Sequence, residues 1–165
     1  MKKISKFTLL AGLFGTALLT AGCGSDSDST LLPTEPNDRV ALAGETTGKL
    51  FFDINLADAD KLGLYFDVIL ETNKGLEEQG VEPKFVIAFR GPSVTLINDA
   101  ATANTKTVIK AMAELPNVRL EACSVATELF GVDNATILPE IVVVGNTFIS
   151  SMGYQAVGYA PVLIQ

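Results

Sequence analysis

The chain has 165 residues, a formal net charge of −7 and no histidine, and 48% of its residues are hydrophobic. This composition is sufficient for one globular domain with its own core. The acidic balance argues against nucleic acid as a partner, and the absence of histidine excludes a Cys-His dyad and a Ser-His-Asp triad.

The first residues are typical of a bacterial secretory signal. A lysine-rich start precedes the apolar run 7–19, which is too short to span a bilayer comfortably. The run ends in Leu-Thr-Ala-Gly-Cys at 19–23, which resembles the lipobox of bacterial lipoproteins. The resemblance implies a lipoprotein signal peptide at 1–22, cleavage before Cys23, a diacylglyceryl group on its sulfur, and fatty acylation, as by palmitate, of the new N-terminus. The alternatives are a plain signal peptide and an uncleaved anchor.

A lipid on Cys23 would hold the mature protein to a membrane of the bacterial cell envelope. Gly24 rather than aspartate follows this cysteine, and by resemblance to the sorting pattern of enteric bacteria this favours the outer membrane, facing the periplasm. Residues 23–43 are rich in Ser, Asp and Pro and are interpreted as a flexible tether, with the folded domain at 44–165. Once Cys23 is lipidated, Cys123 is the one free thiol and no disulfide can form within the chain.

Apolar runs alternate with amphipathic stretches throughout the predicted domain. Strands are predicted at 49–55, 84–89, 118–122, 141–145 and 161–164. The apolar faces of the main helices between them are predicted to be Leu62, Tyr65, Phe66, Ile69 and Leu76, then Val108, Ile109, Met112 and Leu115, then Phe148, Ile149, Met152 and Ala156. Because strands and helices alternate, we predict an α/β three-layer sandwich, with about five mostly parallel strands and helices on both faces.

Cys123 stands where the third predicted strand runs into a short helix. Ligands of α/β sheets bind beyond the carboxyl ends of strands, and a helix N-terminus favours a thiolate. Arg90 and Gly91 follow the second strand, so their loop opens on the same edge if the strands are parallel. In this interpretation Cys123 is a nucleophile or sulfur carrier, and Arg90 with the amides of Ser124 and Val125 stabilises the thiolate or a bound anion.

The alternative is that Cys123 is a small buried residue at a strand end, since cysteine often behaves as a core hydrophobe. Glu121 and Glu128 flank it and are interpreted as solvated, whereas Tyr154 and Tyr159 are interpreted as packing residues. No cofactor is expected. No metal site is expected either, because a zinc site would have to combine carboxylates with a single thiol.

Three segments share an order and spacing with a known family. They are Phe-Val-Ile-Ala-Phe-Arg-Gly at 85–91, Asn-Val-Arg-Leu-Glu-Ala-Cys at 117–123 followed by Gly131-Val132, and Gln-Ala-Val-Gly-Tyr-Ala at 155–160. Together they resemble the DsrE-like family of small sulfur-relay and uncharacterised α/β proteins. Two departures stand out: Arg90 occupies a position where many relatives have histidine, and the sulfur-relay members are cytoplasmic.

The resemblance implies a five-stranded parallel sheet between helices, a persulfide on Cys123, and assembly into homo-oligomers (dimers, trimers or hexamers). The expected protein is therefore an exported, lipid-anchored one that carries or senses sulfur or redox state through Cys123, at most with a sulfur-transferase-like activity. Its partners would be the membrane, through the lipid on Cys23, and a sulfur donor or acceptor protein. The alternative is a non-catalytic oligomeric small-ligand-binding or scaffold lipoprotein in which Cys123 is buried.

Overall fold

A computed structural model describes residues 36–165, within which one compact unit runs from Asp38 to Gln165. The predicted signal peptide and the lipidation site at Cys23 lie outside the described residues. Five strands form one sheet: β1 Thr47–Ile54, β2 Glu82–Phe89, β3 Val118–Cys123, β4 Val142–Val144 and β5 Ala160–Ile164. The helices are α1 Ala59–Glu78, α2 Ala103–Ala113, α3 Ser124–Leu129 and α4 Thr147–Ala156, with short 3₁₀ helices at Gly91–Leu96 and Asn134–Thr136.

The strand order is β4-β3-β2-β1-β5, and each neighbouring pair is parallel. The predicted α/β fold with a five-stranded parallel sheet is thus confirmed. Because all five strands run the same way, their carboxyl ends lie along one edge of the sheet, the position where α/β proteins place their sites. No helix within residues 36–165 is both long and apolar enough to cross a bilayer.

Helix α1 begins after Asp58, whose carboxylate accepts hydrogen bonds from two backbone amides of the first turn. Gly80, with φ of 78°, lets the chain turn away after the helix ends. The predicted apolar face is buried at Leu62, Phe66 and Ile69. Tyr65 differs from the prediction, because it is 37% exposed and lies at the rim of the face.

The main core lies between the sheet and helices α1 and α2. Alternate residues of the central strands point into it: Phe52, Ile54, Phe85, Ile87, Phe89, Leu120 and Ala122. Phe66 of α1 meets Phe89 edge to face, with ring centroids 6.1 Å apart. This packing holds the carboxyl end of β2, and therefore the residues that follow it, against α1.

The opposite face of the sheet is covered more thinly, by α4. Tyr154 of this helix and Tyr159 pack on a small cluster that contains Phe51, which confirms the predicted packing role of both tyrosines. On the same face Leu163 of β5 is 63% exposed and Val142 of β4 is 44% exposed. The prediction that β4 is a buried strand is therefore wrong: it is a three-residue edge strand with a half-covered face.

Helix α4 also turns its predicted apolar face outward. Phe148, Ile149 and Met152 are 63%, 65% and 63% exposed, and Thr147 is the buried residue of the helix. The predicted helix is present, but it lies against the sheet through Thr147 and Tyr154 and not through the predicted apolar face. An apolar surface consequently faces outward on this side of the molecule.

Candidate functional site

Cys123 is the last residue of β3, and α3 begins at the next residue. Its partner across the sheet is Val144, the last residue of β4, and α4 begins three residues after Val144. Two helices therefore start side by side at this edge. The sulfur of Cys123 lies where both N-termini converge, and the residue is 5% exposed.

Several hydrogen-bond donors meet at this sulfur. Burial raises the pKa of the Cys123 thiol, but hydrogen bonds from the amide and hydroxyl of Thr147 and the amides of Ala126 and Val125 outweigh it and lower the pKa overall. These amides belong to the first turns of α3 and α4, whose dipoles act in the same direction. The environment thus favours an anionic sulfur, as the position at a helix N-terminus predicts.

Thr147 is the most informative neighbour of the cysteine. The residue is 3% exposed, and its hydroxyl oxygen has no hydrogen-bond partner among oxygen and nitrogen atoms of the described chain. A buried hydroxyl left without any acceptor would cost free energy, about 1–3 kcal/mol. The sulfur of Cys123 is the acceptor that this hydroxyl faces. An anionic sulfur accepts more strongly than a neutral thiol, so the hydroxyl favours a thiolate or an anionic group bound on the sulfur.

Arg90 reaches the same site from the end of β2. Its Nε donates to the carboxylate of Asp53, and its guanidinium lies over the ring of Phe148, with Cζ 5.4 Å from the centroid. Glycine is required at the next position, because Gly91 has φ of 56° and a Cβ there would overlap the side chain of Asn55. The Arg90 charge is therefore held in place by an ion pair and an aromatic face.

A cavity of about 190 Å³ opens between these elements. It is lined by Arg90, Gly91, Cys123, Val125, Ala126, Leu129, Phe130, Asn146, Thr147 and Phe148. Of the residues predicted for the site, Arg90, Gly91, Cys123 and Val125 meet in this cavity. Ser124 does not line it, and its hydroxyl accepts instead from Asn134. Within residues 36–165, no cluster of three or more acidic, cysteine or histidine residues is arranged to hold a metal ion.

The interpretation that Glu121 is solvated is wrong, because this residue is only 2% exposed. It lies between Ala88 of β2 and Val142 of β4. One carboxylate oxygen accepts from Arg119 at 2.6 Å and from the Tyr154 hydroxyl at 3.1 Å, while the other has no partner within the described chain. The carboxylate raises the pKa of Arg119, chiefly through this hydrogen bond, and burial followed by the charge of Glu121 raises the pKa of Tyr154.

The sequence did not single out Thr147, Asn146 or Phe148 as site residues. Their position in the sequence could have indicated the site. Asn146 and Thr147 follow a predicted strand just as Arg90 does, and parallel strands bring both segments to one edge. Leu129 and Phe130 had no such signal, since a helical position shows which pocket it lines only once the helix is placed.

No protein-family model matches the sequence, and no curated protein matches it significantly. Solved structures do match. One is MTH1491, a protein of unknown function from Methanobacterium thermoautotrophicum, with a TM-score of 0.62 and 17% identity over 70% of this chain and 98% of that chain. Another is the YchN protein of E. coli, with a TM-score of 0.55 and 13% identity over 72% of this chain and 100% of that chain. Both support a DsrE-like fold for this protein.

Proposed function

We propose that the chain is an exported member of the DsrE-like family that carries or senses sulfur through Cys123. The observation that carries the proposal is that two helix N-termini and the buried Thr147 hydroxyl, which has no oxygen or nitrogen partner in the described chain, converge on one sulfur atom. Such an environment stabilises a thiolate, the form of cysteine that attacks sulfur. The nearby cavity leaves room for a donor or for the sulfur that Cys123 accepts.

Sulfur loading at this site needs no added oxidant. The Cys123 thiolate attacks the outer sulfur of a donor persulfide, a new S–S bond forms on Cys123, and the donor's S–S bond breaks. The electron pair of the broken bond leaves with the donor thiolate, which takes up a proton. The amides of Val125 and Ala126 and the hydroxyl of Thr147 can then stabilise the negative charge of the bound persulfide.

We also propose that the protein is held by a lipid on Cys23 to the bacterial outer membrane and faces the periplasm. This proposal is supported by the sequence of residues 1–23. In that compartment the partner protein would be an acceptor of the sulfur in the cell envelope. A long polar segment before Asp38 would allow the domain to stand away from the bilayer.

Sulfur loading is tested on the Cys23→Ala protein, in which Cys123 is the one thiol. We expect iodoacetamide to modify the folded protein with a pH midpoint below that of a free thiol, because the pKa of Cys123 is lowered. Polysulfide should add the mass of sulfur to the intact protein. Cys123→Ser should remove both modifications, since serine neither alkylates nor forms a persulfide under these conditions.

The observation that favours the alternative, a non-catalytic protein, is that Cys123 is only 5% exposed. A thiol that resists both reagents until urea unfolds the protein would contradict the sulfur proposal. That result would favour the non-catalytic, ligand-binding or scaffold protein instead. Circular dichroism on the same samples establishes that the protein is folded during the reaction.

We further propose that the protein assembles with copies of itself through the outer surface of α4. Ile149 and Met152 form an exposed apolar stripe there, and Leu163 of β5 is exposed on the same side of the sheet. Apolar groups clustered in this way commonly mark protein interfaces. A stable interface needs about 800 Å² from each partner, and the thin cover of this face leaves sheet and helix surface for it.

Ile149→Glu is expected to lower the fraction of oligomer, because it places a charge in the proposed apolar interface. Light scattering coupled to size exclusion measures the change. Leu64→Glu is the matched control, since Leu64 is 66% exposed against 65% for Ile149 and lies on α1. Equal masses for the wild type and both variants would contradict assembly through α4.

A further inference from the structure

The cavity beside Cys123 restricts what can deliver sulfur to it. From its volume, lining and charge we propose that the donor is a small, largely apolar organic persulfide rather than thiosulfate or a peptide-sized persulfide. The inference rests on the proposed function and names the substrate class of the same site. It follows from three separate features of the cavity.

The first feature is size. The cavity holds about 190 Å³, and an apolar cavity of about 150 Å³ accommodates benzene, a molecule of six heavy atoms. By this comparison about eight non-hydrogen atoms fit beside Cys123. A persulfide with a propyl or benzyl group matches that size, whereas most of a glutathione-sized donor would lie outside the cavity.

The second feature is the lining. Val125, Leu129, Phe130 and Phe148 surround the opening, and they are 45%, 77%, 45% and 63% exposed. A small apolar group placed among them removes apolar surface of both donor and protein from water. This gain is worth about 25 cal/mol for each Å² that is buried. A donor without an apolar group gains none of it.

The third feature is charge. Arg90 is the one cation among the lining residues, and Asp53 already pairs with it. A dianion such as thiosulfate would lose its hydration among apolar side chains and face a cation that a carboxylate has already neutralised. The site therefore stabilises one negative charge on the sulfur of Cys123 and provides little for a second on the donor.

In the transfer step, the Cys123 thiolate attacks the terminal sulfur of R–S–SH. The bond from Sγ to that sulfur forms as the R–S–S bond breaks, and the electron pair goes to RS⁻, which is protonated by water. The terminal sulfur atom is transferred from the donor to Cys123 without an external oxidant or reductant. The apolar R group holds the donor while the helix N-termini hold the attacking sulfur.

The test compares benzyl hydropersulfide, glutathione hydropersulfide and thiosulfate as donors to the Cys23→Ala protein. Sulfur gain is followed by intact mass. Each rate is divided by the rate for the same donor with the protein unfolded in urea, so that differences in the intrinsic reactivity of the donors cancel. We expect this ratio to be at least about tenfold higher for the benzyl donor, the factor that about 1.4 kcal/mol of binding supplies.

Leu129→Asp should reduce the benzyl ratio severalfold, because it places a charge in the apolar rim. Leu64→Asp, the same change at an exposed position of α1, should leave the ratio unchanged. Equal ratios for all three donors, or no effect of Leu129→Asp, would overturn the inference while leaving sulfur carrying intact. Failure of every donor and of inorganic polysulfide to load Cys123 would instead remove the proposed function.

Discussion

Replacing Thr147 by valine is expected to raise the pKa of the Cys123 thiol and to slow its alkylation near neutral pH by about tenfold or more. Valine has nearly the shape of threonine but lacks the hydroxyl that stabilises the anionic sulfur. A hydrogen bond to a charged group contributes about 1.5–3 kcal/mol, which corresponds to roughly one to two factors of ten. A higher pKa lowers the thiolate fraction at any given pH, so the rate–pH curve moves to higher pH.

The measurement is the rate of iodoacetamide labelling between pH 5 and pH 10, followed by intact mass. Thr147→Ser keeps a hydroxyl and should largely retain the wild-type curve, which separates the hydrogen bond from any change in packing. An unshifted curve for Thr147→Val would show that the hydroxyl contributes nothing to thiolate stability. The burial of a hydroxyl with no oxygen or nitrogen partner in the described chain would then have to be explained without the sulfur.

Phe89→Ala is expected to lower the free energy of unfolding by about 3–5 kcal/mol, the usual cost of removing a fully buried aromatic ring. Phe89 is 0% exposed, and its ring packs edge to face on Phe66. Domains of this kind are commonly stable by about 5–15 kcal/mol, so the loss is a large part of the total. Urea unfolding followed by circular dichroism measures it.

Phe148→Ala makes the same chemical change at a residue that is 63% exposed. It should shift the unfolding free energy by about 0.5 kcal/mol or less, as surface substitutions usually do. Similar losses for the two variants would mean that the core does not lie between β2 and α1. The comparison thus tests the layer on which the position of Arg90 depends.

The two helix N-termini at Cys123 also explain how the pKa of a thiol can be lowered in a protein without histidine. In a Cys-His dyad an imidazolium stabilises the thiolate. Here backbone amides of α3 and α4 stabilise the thiolate, together with the hydroxyl of Thr147. Because amides do not titrate near neutral pH, the hydrogen bonds that they donate to the sulfur do not change with pH there.

Much of the architecture could be read from the chain alone. Near-continuous apolar runs such as 84–89 are typical of strands buried on both faces, and their alternation with helical periodicity leads to a parallel sheet. A parallel sheet brings the ends of its strands to one edge, so the sequence alone predicts that Arg90 and Cys123 lie on the same edge. These inferences depend only on local pattern and on the handedness of βαβ units.

The neighbours of Cys123 and the burial of Glu121 could not be predicted without the strand order and the packing of α4. Glu121 is buried because β2 and β4 flank β3, and Thr147 meets Cys123 because β4 is the neighbour of β3. The outward face of α4 could not be predicted from the sequence for the same reason. Periodicity reveals that a helix has an apolar side but not which surface covers it, because that surface is built by residues distant in sequence. The sequence by itself therefore determined the fold class and the edge that carries the thiol, whereas tertiary packing decided which groups surround the sulfur.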